Sequence, residues 1–344
     1  MKKLKKPVVM LAVWALVFGL TACGEIGSPK ETGLPRETGS PGVTESPGET
    51  GVPGKTDSPE NSSVSQTQLP TVDPSGAEIS VPEQINSIVV LAPSLAEMVV
   101  ALGQGDKIIG CDTNSIGLEG LPADLPALDT VNPDMEQLMA LHPDVLMVSN
   151  LSLYDAENPY KQLVDNGVCV VCVPTSDSIA NIQDDIAFVA TILKEGDKGQ
   201  AMIAKMQQEI DRIAAIGAGI TEKKSVYFEI SAAPYMYSFG TGVFLNEMIE
   251  LIGAENILAA QEGWLGVEEE SVVQANPDVI LTNVNYLDDP VQEIKNRSGW
   301  DALTAVQTGA VYYIDNMASS LPNQNVIKAL EQMAKAVYPE YYNQ

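Results

Sequence analysis

Two stretches of the chain are each repeated further along it, and a long amphipathic segment lies between the copies. Leu95-Ala-Glu-Met-Val-Val-Ala-Leu-Gly103 matches Leu245-Asn-Glu-Met-Ile-Glu-Leu-Ile-Gly253, each followed by polar residues and an apolar pair (Ile108-Ile109, Ile257-Leu258). Met135 to Met147 (MEQLMALHPDVLM) matches Glu269 to Leu281 (EESVVQANPDVIL), which aligns Glu136 with Glu270 and Pro143-Asp144-Val145 with Pro277-Asp278-Val279. Two copies at a long period imply two similar lobes, not a stacked solenoid. Between them runs Gly196 to Ile216, where Ile203, Met206, Ile210, Ile213 and Ile216 recur at spacings of three and four. Asp197 is the expected N-cap. Such a helix of roughly 20 residues spans about 30 Å, enough to bridge two lobes.

Short apolar strands alternate with helices on both sides of this segment. Strands are expected at 87–91, 107–111, 144–148 and 168–173, then at 225–230, 278–282 and 310–314. Helices are expected from Asn132, at 243–252 and 268–274, and from Pro322, and Ser94 to Glu97 fits a capping box. Apolar strands alternating with helices give mainly parallel sheets covered on both faces. The expected fold is therefore α/β, with two Rossmann-like lobes at 71–195 and 218–344 and a bridging helix at 196–217. Ligands of such sheets sit at the carboxyl ends of the strands, so those ends should face each other across a cleft.

The N-terminal segment reads as an address. Lys2, Lys3, Lys5 and Lys6 precede an apolar run from Pro7 to Leu20, too short for a comfortable transmembrane helix. Leu20-Thr-Ala-Cys23 resembles a bacterial lipobox, so residues 1–22 are expected to be cleaved and Cys23 lipidated. Residues 24–68 repeat units such as Ser28-Pro-Lys-Glu-Thr-Gly33 and Leu34-Pro-Arg-Glu-Thr-Gly39 and carry almost no large apolar side chain. Such a segment, a linker reaching to residue 70, cannot offset its ordering entropy by burial.

Composition excludes several kinds of chemistry. Losing residues 1–22 takes the formal charge from −27 to −31, a balance that argues against nucleic acid and against adhesion to anionic lipid. Free-metal capture by imidazoles needs several His, and the chain has only His142. Cys169-Val-Val-Cys172 lies in an expected strand, where residues three apart point to opposite faces. Buried thiols fit better than a redox pair. No P-loop or nucleophile-elbow motif occurs, and neither enzyme activity nor a resident cofactor or metal is expected.

From about Thr71 onward the chain resembles the solute-binding lipoproteins of ABC importers for cobalamin and iron chelates. The marks are Ile88-Val-Val-Leu-Ala-Pro-Ser94, Ala101-Leu-Gly103, Ala140-Leu-His-Pro-Asp-Val145, Gly253-Ala-Glu-Asn-Ile257, Pro277-Asp-Val-Ile280 and Trp300 to Asp315. The resemblance implies a class III solute-binding protein: two lobes joined by one long helix, a ligand held between them, and a permease dimer as partner. It implies a monomer tethered by lipid outside the cytoplasmic membrane. A two-lobed chelatase-like enzyme shares this plan but needs metal-handling side chains and a cytoplasmic address.

By the same resemblance Glu136 and Glu270, one per lobe, would meet the permease, and Trp264 would lie against a corrin ring. Asn114, Thr130 and Ser149 stand where a cobalamin binder has aromatic residues, and the expected ligand is a corrinoid first, then a ferric hydroxamate, then haem. The folded part has only Arg212 and Arg297 as arginines, which disfavours anionic chelates that need clustered cations. Tyr235, Met236, Tyr237, Trp264, Tyr286 and Met317 are the apolar and aromatic candidates, with Asn114, Asn150, Asn283 and Asn316 as polar partners.

Overall fold

The computed structural model describes residues 69–150 and 159–343. The expected signal segment, Cys23 and almost the whole linker lie outside these residues. The first lobe runs through β1 (Ile88–Val90), α1 (Pro93–Ala101), β2 (Ile108–Asp112), β3 (Ala127–Leu128), α2 (Met135–Leu141), β4 (Val145–Val148), α3 (Lys161–Asp165), β5 (Cys169–Cys172) and α4 (Ile179–Ile192). After α5 (Gly196–Gly217) come β6 (Ser225–Glu229), β7 (Tyr237–Phe239), α6 (Phe244–Leu251), β8 (Glu255–Asn256), β9 (Trp264–Gly266) and α7 (Glu269–Ala275). β10 (Val279–Thr282), α8 (Pro290–Asn296), α9 (Thr304–Thr308), β11 (Val311–Tyr313), α10 (Asn316–Ser320), α11 (Val326–Val337) and α12 (Pro339–Tyr342) complete the second lobe.

Each lobe is a parallel sheet. The first has the order β3-β2-β1-β4-β5 and the second β11-β10-β6-β8, while β7 and β9 form a separate antiparallel ribbon. In the alignment of the two halves, β1, β2, β4 and β5 correspond to β6, β8, β10 and β11. The four shared strands thus have one order, β2-β1-β4-β5 and β8-β6-β10-β11. The central strands are apolar on both faces because helices cover both. Cys169 and Cys172 show this directly: one packs in the core that runs through both lobes, the other in the core on the far face of the first sheet. Burial pushes both thiols up to about 11.

The repeated Pro-Asp-Val has a definite role in both lobes. The Asp144 amide donates to Ser87 Oγ (2.9 Å), and the Ser87 amide donates back to Asp144 Oδ2 (3.0 Å). Asp278 and Ser225 make the same exchange at 3.0 and 2.8 Å. Each bracket sets the start of the third shared strand against the start of the first. The helix before each Pro-Asp ends on a left-handed residue, His142 (φ 48°) or Asn276 (φ 46°), so His142 serves as a C-cap.

Several helix starts differ from expectation. Asp134 caps α2 by accepting from the Glu136 and Gln137 amides at 2.9 and 3.1 Å, which leaves Asn132 and Pro133 outside the helix. α1 begins at Pro93 with Ala92 at the cap position and no side-chain cap, so Ser94 and Glu97 form no capping box. Glu195 occupies the cap position of α5 and Asp197 falls in its first turn. The last long helix starts at Val326, four residues past Pro322, after a turn in which Asn323 Oδ1 accepts from the Asn325 amide.

α5 joins the lobes through close contacts near each end. At Gly199 it lies so near α4 that a Cβ would stand 2.4 Å from the Ala190 Cβ. Lys198 Nζ donates to the carbonyl of Leu102, the C-cap of α1, at 3.0 Å. At the other end a Cβ on Gly217 would stand 2.2 Å from the Leu251 carbonyl oxygen. Tyr342 Oη there donates to the Ile213 and Ile252 carbonyls, both at 3.1 Å. Met206, Ile210 and Ile213 are buried between these ends.

Gly217→Ala should therefore lower stability by about 1–3 kcal/mol through overpacking. Gly196→Ala, with nothing within 4 Å of the added Cβ, should leave stability unchanged or slightly raised. Urea unfolding of the two variants checks the contrast.

Candidate ligand-binding cleft

The helices α1 and α4 follow the carboxyl ends of β1 and β5, while α6 follows that of β6 by way of β7, and α11 follows that of β11 by way of α10. The two pairs meet across the lobes. Asn323 and Asn325, just before α11, donate through their side chains to Glu97 Oε2 of α1 at 2.6 and 3.0 Å. The backbone amide of Ile179, the first residue of α4, donates to Glu247 Oε2 of α6 at 2.8 Å. These contacts bring the carboxyl ends of the two sheets to a common junction, which makes the loops beyond them the walls of one cleft.

Those loops share one electrostatic character. Segments 113–126, 129–134, 149–150, 159–160, 174–178, 230–243, 257–268, 283–289 and 314–325 contain Asp and Glu but no Lys, Arg or His. Arg297 of the second lobe lies beneath them and is fully engaged. It donates to both oxygens of Glu229, the last residue of β6, at 2.7 and 3.0 Å, and to Glu293 at 3.1 Å. Its guanidinium also stacks 4.2 Å from the Trp300 ring centre. Burial opposes the guanidinium charge, but the bonds to the two carboxylates outweigh it and hold the group above its ordinary pKa. Burial raises the Glu229 carboxyl, against the pull of Arg297. The network keeps an arginine in the lobe without offering it to the cleft.

The second lobe supplies the aromatic candidates. Tyr235 is 83% exposed at the tip of the loop between β6 and β7, and Tyr286, past β10, is 54% exposed. Tyr286 Oη accepts from the Ala232 amide at 2.8 Å and lies 3.3 Å from Ser231 Oγ, so it holds the base of the loop that carries Tyr235. On the other side of that tip, Met236 is buried with its sulfur 3.5 Å from Arg297 Nη1. Met236 is thus a packing residue, contrary to its candidacy. Tyr237 and Trp264 are half-buried on the β7–β9 ribbon. The Trp264 ring stands edge-on to Phe239, centroids 5.7 Å apart.

The asparagines mainly tie loops together. Asn150 is exposed, and its Oδ1 accepts from the Thr175 amide and hydroxyl at 3.2 and 3.0 Å, linking the ends of β4 and β5. The Asn114 amide donates to Asp112 Oδ1 at 2.8 Å in the turn after β2. Asn283 is buried and donates to Ser319 Oγ at 2.9 Å, so it braces the loops. Asn316 donates to the Asn283 carbonyl at 2.7 Å, next to half-buried Met317. The pinning by Tyr286 and the Thr175 contact are absent from the sequence reading, since each depends on which loops become neighbours.

Glu136 and Glu270 are exposed in the first turns of the equivalent helices α2 and α7. Among the described residues neither makes a side-chain hydrogen bond or ion pair. The α2 amides are already met by Asp134, so capping does not account for Glu136.

Comparison with known proteins agrees with this architecture. The family model described as periplasmic binding protein matches residues 88–318. The chain belongs to this family, whose members bind solutes. An uncharacterized ABC transporter substrate-binding lipoprotein of Bacillus subtilis is 28% identical over 277 residues, covering 79% of this chain and 86% of its own. A cobalamin-binding protein of Halobacterium salinarum is 22% identical over 292 residues, covering 77% and 73%. The solved structure of a molybdate-binding protein of Haemophilus influenzae shares the fold, with a TM-score of 0.67 at 22% identity and coverage of 80% and 93%.

One buried carboxylate near the cleft gives a pH signature. Asp185 of α4 accepts a 2.5 Å hydrogen bond from Ser176 Oγ, yet burial pushes its pKa up from 3.8 to about 6. A carboxyl raised on folding binds more protons in the native state between these values, so its contribution to stability falls as pH rises from about 4 to 6. Asp185→Asn should therefore stabilise the protein at pH 7, and the gain should vanish by about pH 4. Urea midpoints of both forms across that range check the sign.

Proposed function

We propose that this chain is the lipid-anchored, extracytoplasmic substrate-binding protein of an ABC importer. It captures a corrinoid between its lobes and delivers it to the permease. The observation that carries the ligand reading is the cleft rim, which has acidic and neutral loops, no cationic side chain, and exposed Tyr235 and Tyr286 on one wall. Oxyanions and polycarboxylate chelates need charge-assisted donors, and this rim offers none from side chains. A neutral or cationic macrocycle instead needs apolar faces with a few polar groups. Trp264, Tyr237 and Met317 extend the apolar wall, and Asn114 and Asn150 supply amides on the first lobe. The ligand is cargo, and no resident cofactor is part of this reading.

A ferric hydroxamate of neutral or positive charge fits the same rim and is the second reading. Haem fits less well because its two propionates would meet carboxylates. Cys23 would carry the lipid, and the segment that follows it would let the monomeric binding domain reach the permease. The likeness to a lipoprotein that serves an ABC transporter supports this placement.

Titration of tryptophan fluorescence with cobalamin, cobinamide, ferrioxamine, haem and molybdate tests the ligand class. Saturable quenching by the corrinoids, weakened about tenfold or more in Trp264→Ala, is expected from loss of one aromatic contact worth about 1–3 kcal/mol. Saturation by molybdate alone would overturn the reading. A separate uptake assay in cells tests docking. Glu136→Ala with Glu270→Ala should abolish permease-dependent import while ligand affinity in vitro stays unchanged.

A further inference from the structure

The repeated Leu-x-Glu-Met motif contains a glutamate in each lobe that neither capping nor the cleft wall explains. Glu97 lies at the middle of α1 and Glu247 in the first turn of α6, at equivalent places in the repeated sequence. Each reaches the opposite lobe, and each reaches an equivalent place there. α4 and α11 are the long helices that follow the last shared strand of each sheet, β5 and β11. Glu247 accepts from the first amide of α4, and Glu97 accepts from Asn323 and from Asn325, the residue at the cap position of α11. The Gln324 side chain also donates to the Glu97 carbonyl at 3.4 Å.

We propose that Glu97 and Glu247 form a reciprocal clasp across the pseudo-twofold relation of the lobes, and that this clasp holds the cleft floor and limits how far the lobes separate. On both sides a carboxylate sits at the start of a long helix of the other lobe, bound by a backbone amide for Glu247 and by Asn side chains for Glu97. A helix N-terminus presents unpaired amides and the positive end of the macrodipole. Each glutamate places a carboxylate there from the other lobe. α4 has 14 residues and α11 has 12, long enough to develop that dipole. Asn323, the donor to Glu97, is fully buried, and both glutamates are half-buried, so the contacts are shielded from bulk water. The proposal does not depend on which ligand the cleft takes.

Crossing is what distinguishes the clasp from local bonding, and hydrogen exchange on the full chain reads it directly. Glu247→Ala should speed exchange at the start of α4, in the other lobe, by about tenfold or more, as loss of a hydrogen bond to a charged acceptor implies. Glu97→Ala should do the same at 323–328. Glu250→Ala serves as control: it lies on α6 and bonds Asn246 within its own helix, so α4 should be unaffected. In the double variant, distances between spin labels at Glu119 and Asp288, exposed on opposite lobes, should spread to longer values. Acceleration confined to the substituted residue's own lobe, or an unchanged distance distribution, would overturn the proposal. Should an alanine variant fail to fold, Glu247→Gln keeps an acceptor while losing the charge. It should then speed exchange at α4 only a few-fold, and no change there would again reject the clasp.

Discussion

The structure depends on how closely α5 can approach the helices it joins. Gly199 lets it settle against α4, and Gly217 lets it settle against the end of α6. Gly253, whose φ of 84° ends α6, is itself so near that a Cβ would stand 2.6 Å from the Gly217 carbonyl oxygen. In the first lobe the corresponding turn, Leu102 and Gly103 (φ 78°), receives Lys198. The bridging helix thus runs from the C-terminal turn of one repeated helix to that of the other. A continuous apolar cluster, including Met206, Ile210 and Ile213, crosses between the lobes along it. Because packed interiors resist small displacements, lobe motion has to be accommodated around this seam.

The two copies of the repeat are therefore more than a record of duplication. Each copy ends in a glycine turn against α5, and each carries a glutamate toward the far lobe. Ser-Asp brackets fix the strands in both halves with almost the same distances. The copies differ at their edges. The first lobe adds β3 at its edge, and the second adds the β7–β9 ribbon that carries Tyr237 and Trp264.

Charge is distributed with equal economy. The chain is strongly acidic, and its loops at the strand ends contain no cation. The first amide of α4 meets Glu247, and the side-chain amides of Asn323 and Asn325 meet Glu97. Arg297 spends its donors on Glu229 and Glu293, since breaking such a buried pair would strand a charge at a cost of several kcal/mol.

Much of this was legible beforehand because it rests on local periodicity. Spacings of three and four gave α5 nearly to the residue, and runs of apolar residues gave the central strands. The single repeated pattern gave two lobes of one topology, and the strand setting of Cys169 and Cys172 placed them on opposite faces. Helix starts were less legible, since the Asp134 side chain took the cap of α2 while α1 began at Pro93 with no side-chain cap at all. The site was least legible. That Met236 is buried, that Tyr286 holds the loop of Tyr235 and that Glu97 faces Asn323 depend on residues between about 50 and 230 positions apart in the chain. Sequence determined the elements and their duplication, because secondary structure answers to neighbours a few residues away. Only the tertiary structure decided which loops share a wall and which glutamates cross it, because those contacts exist only once α5 has fixed the two sheets against each other.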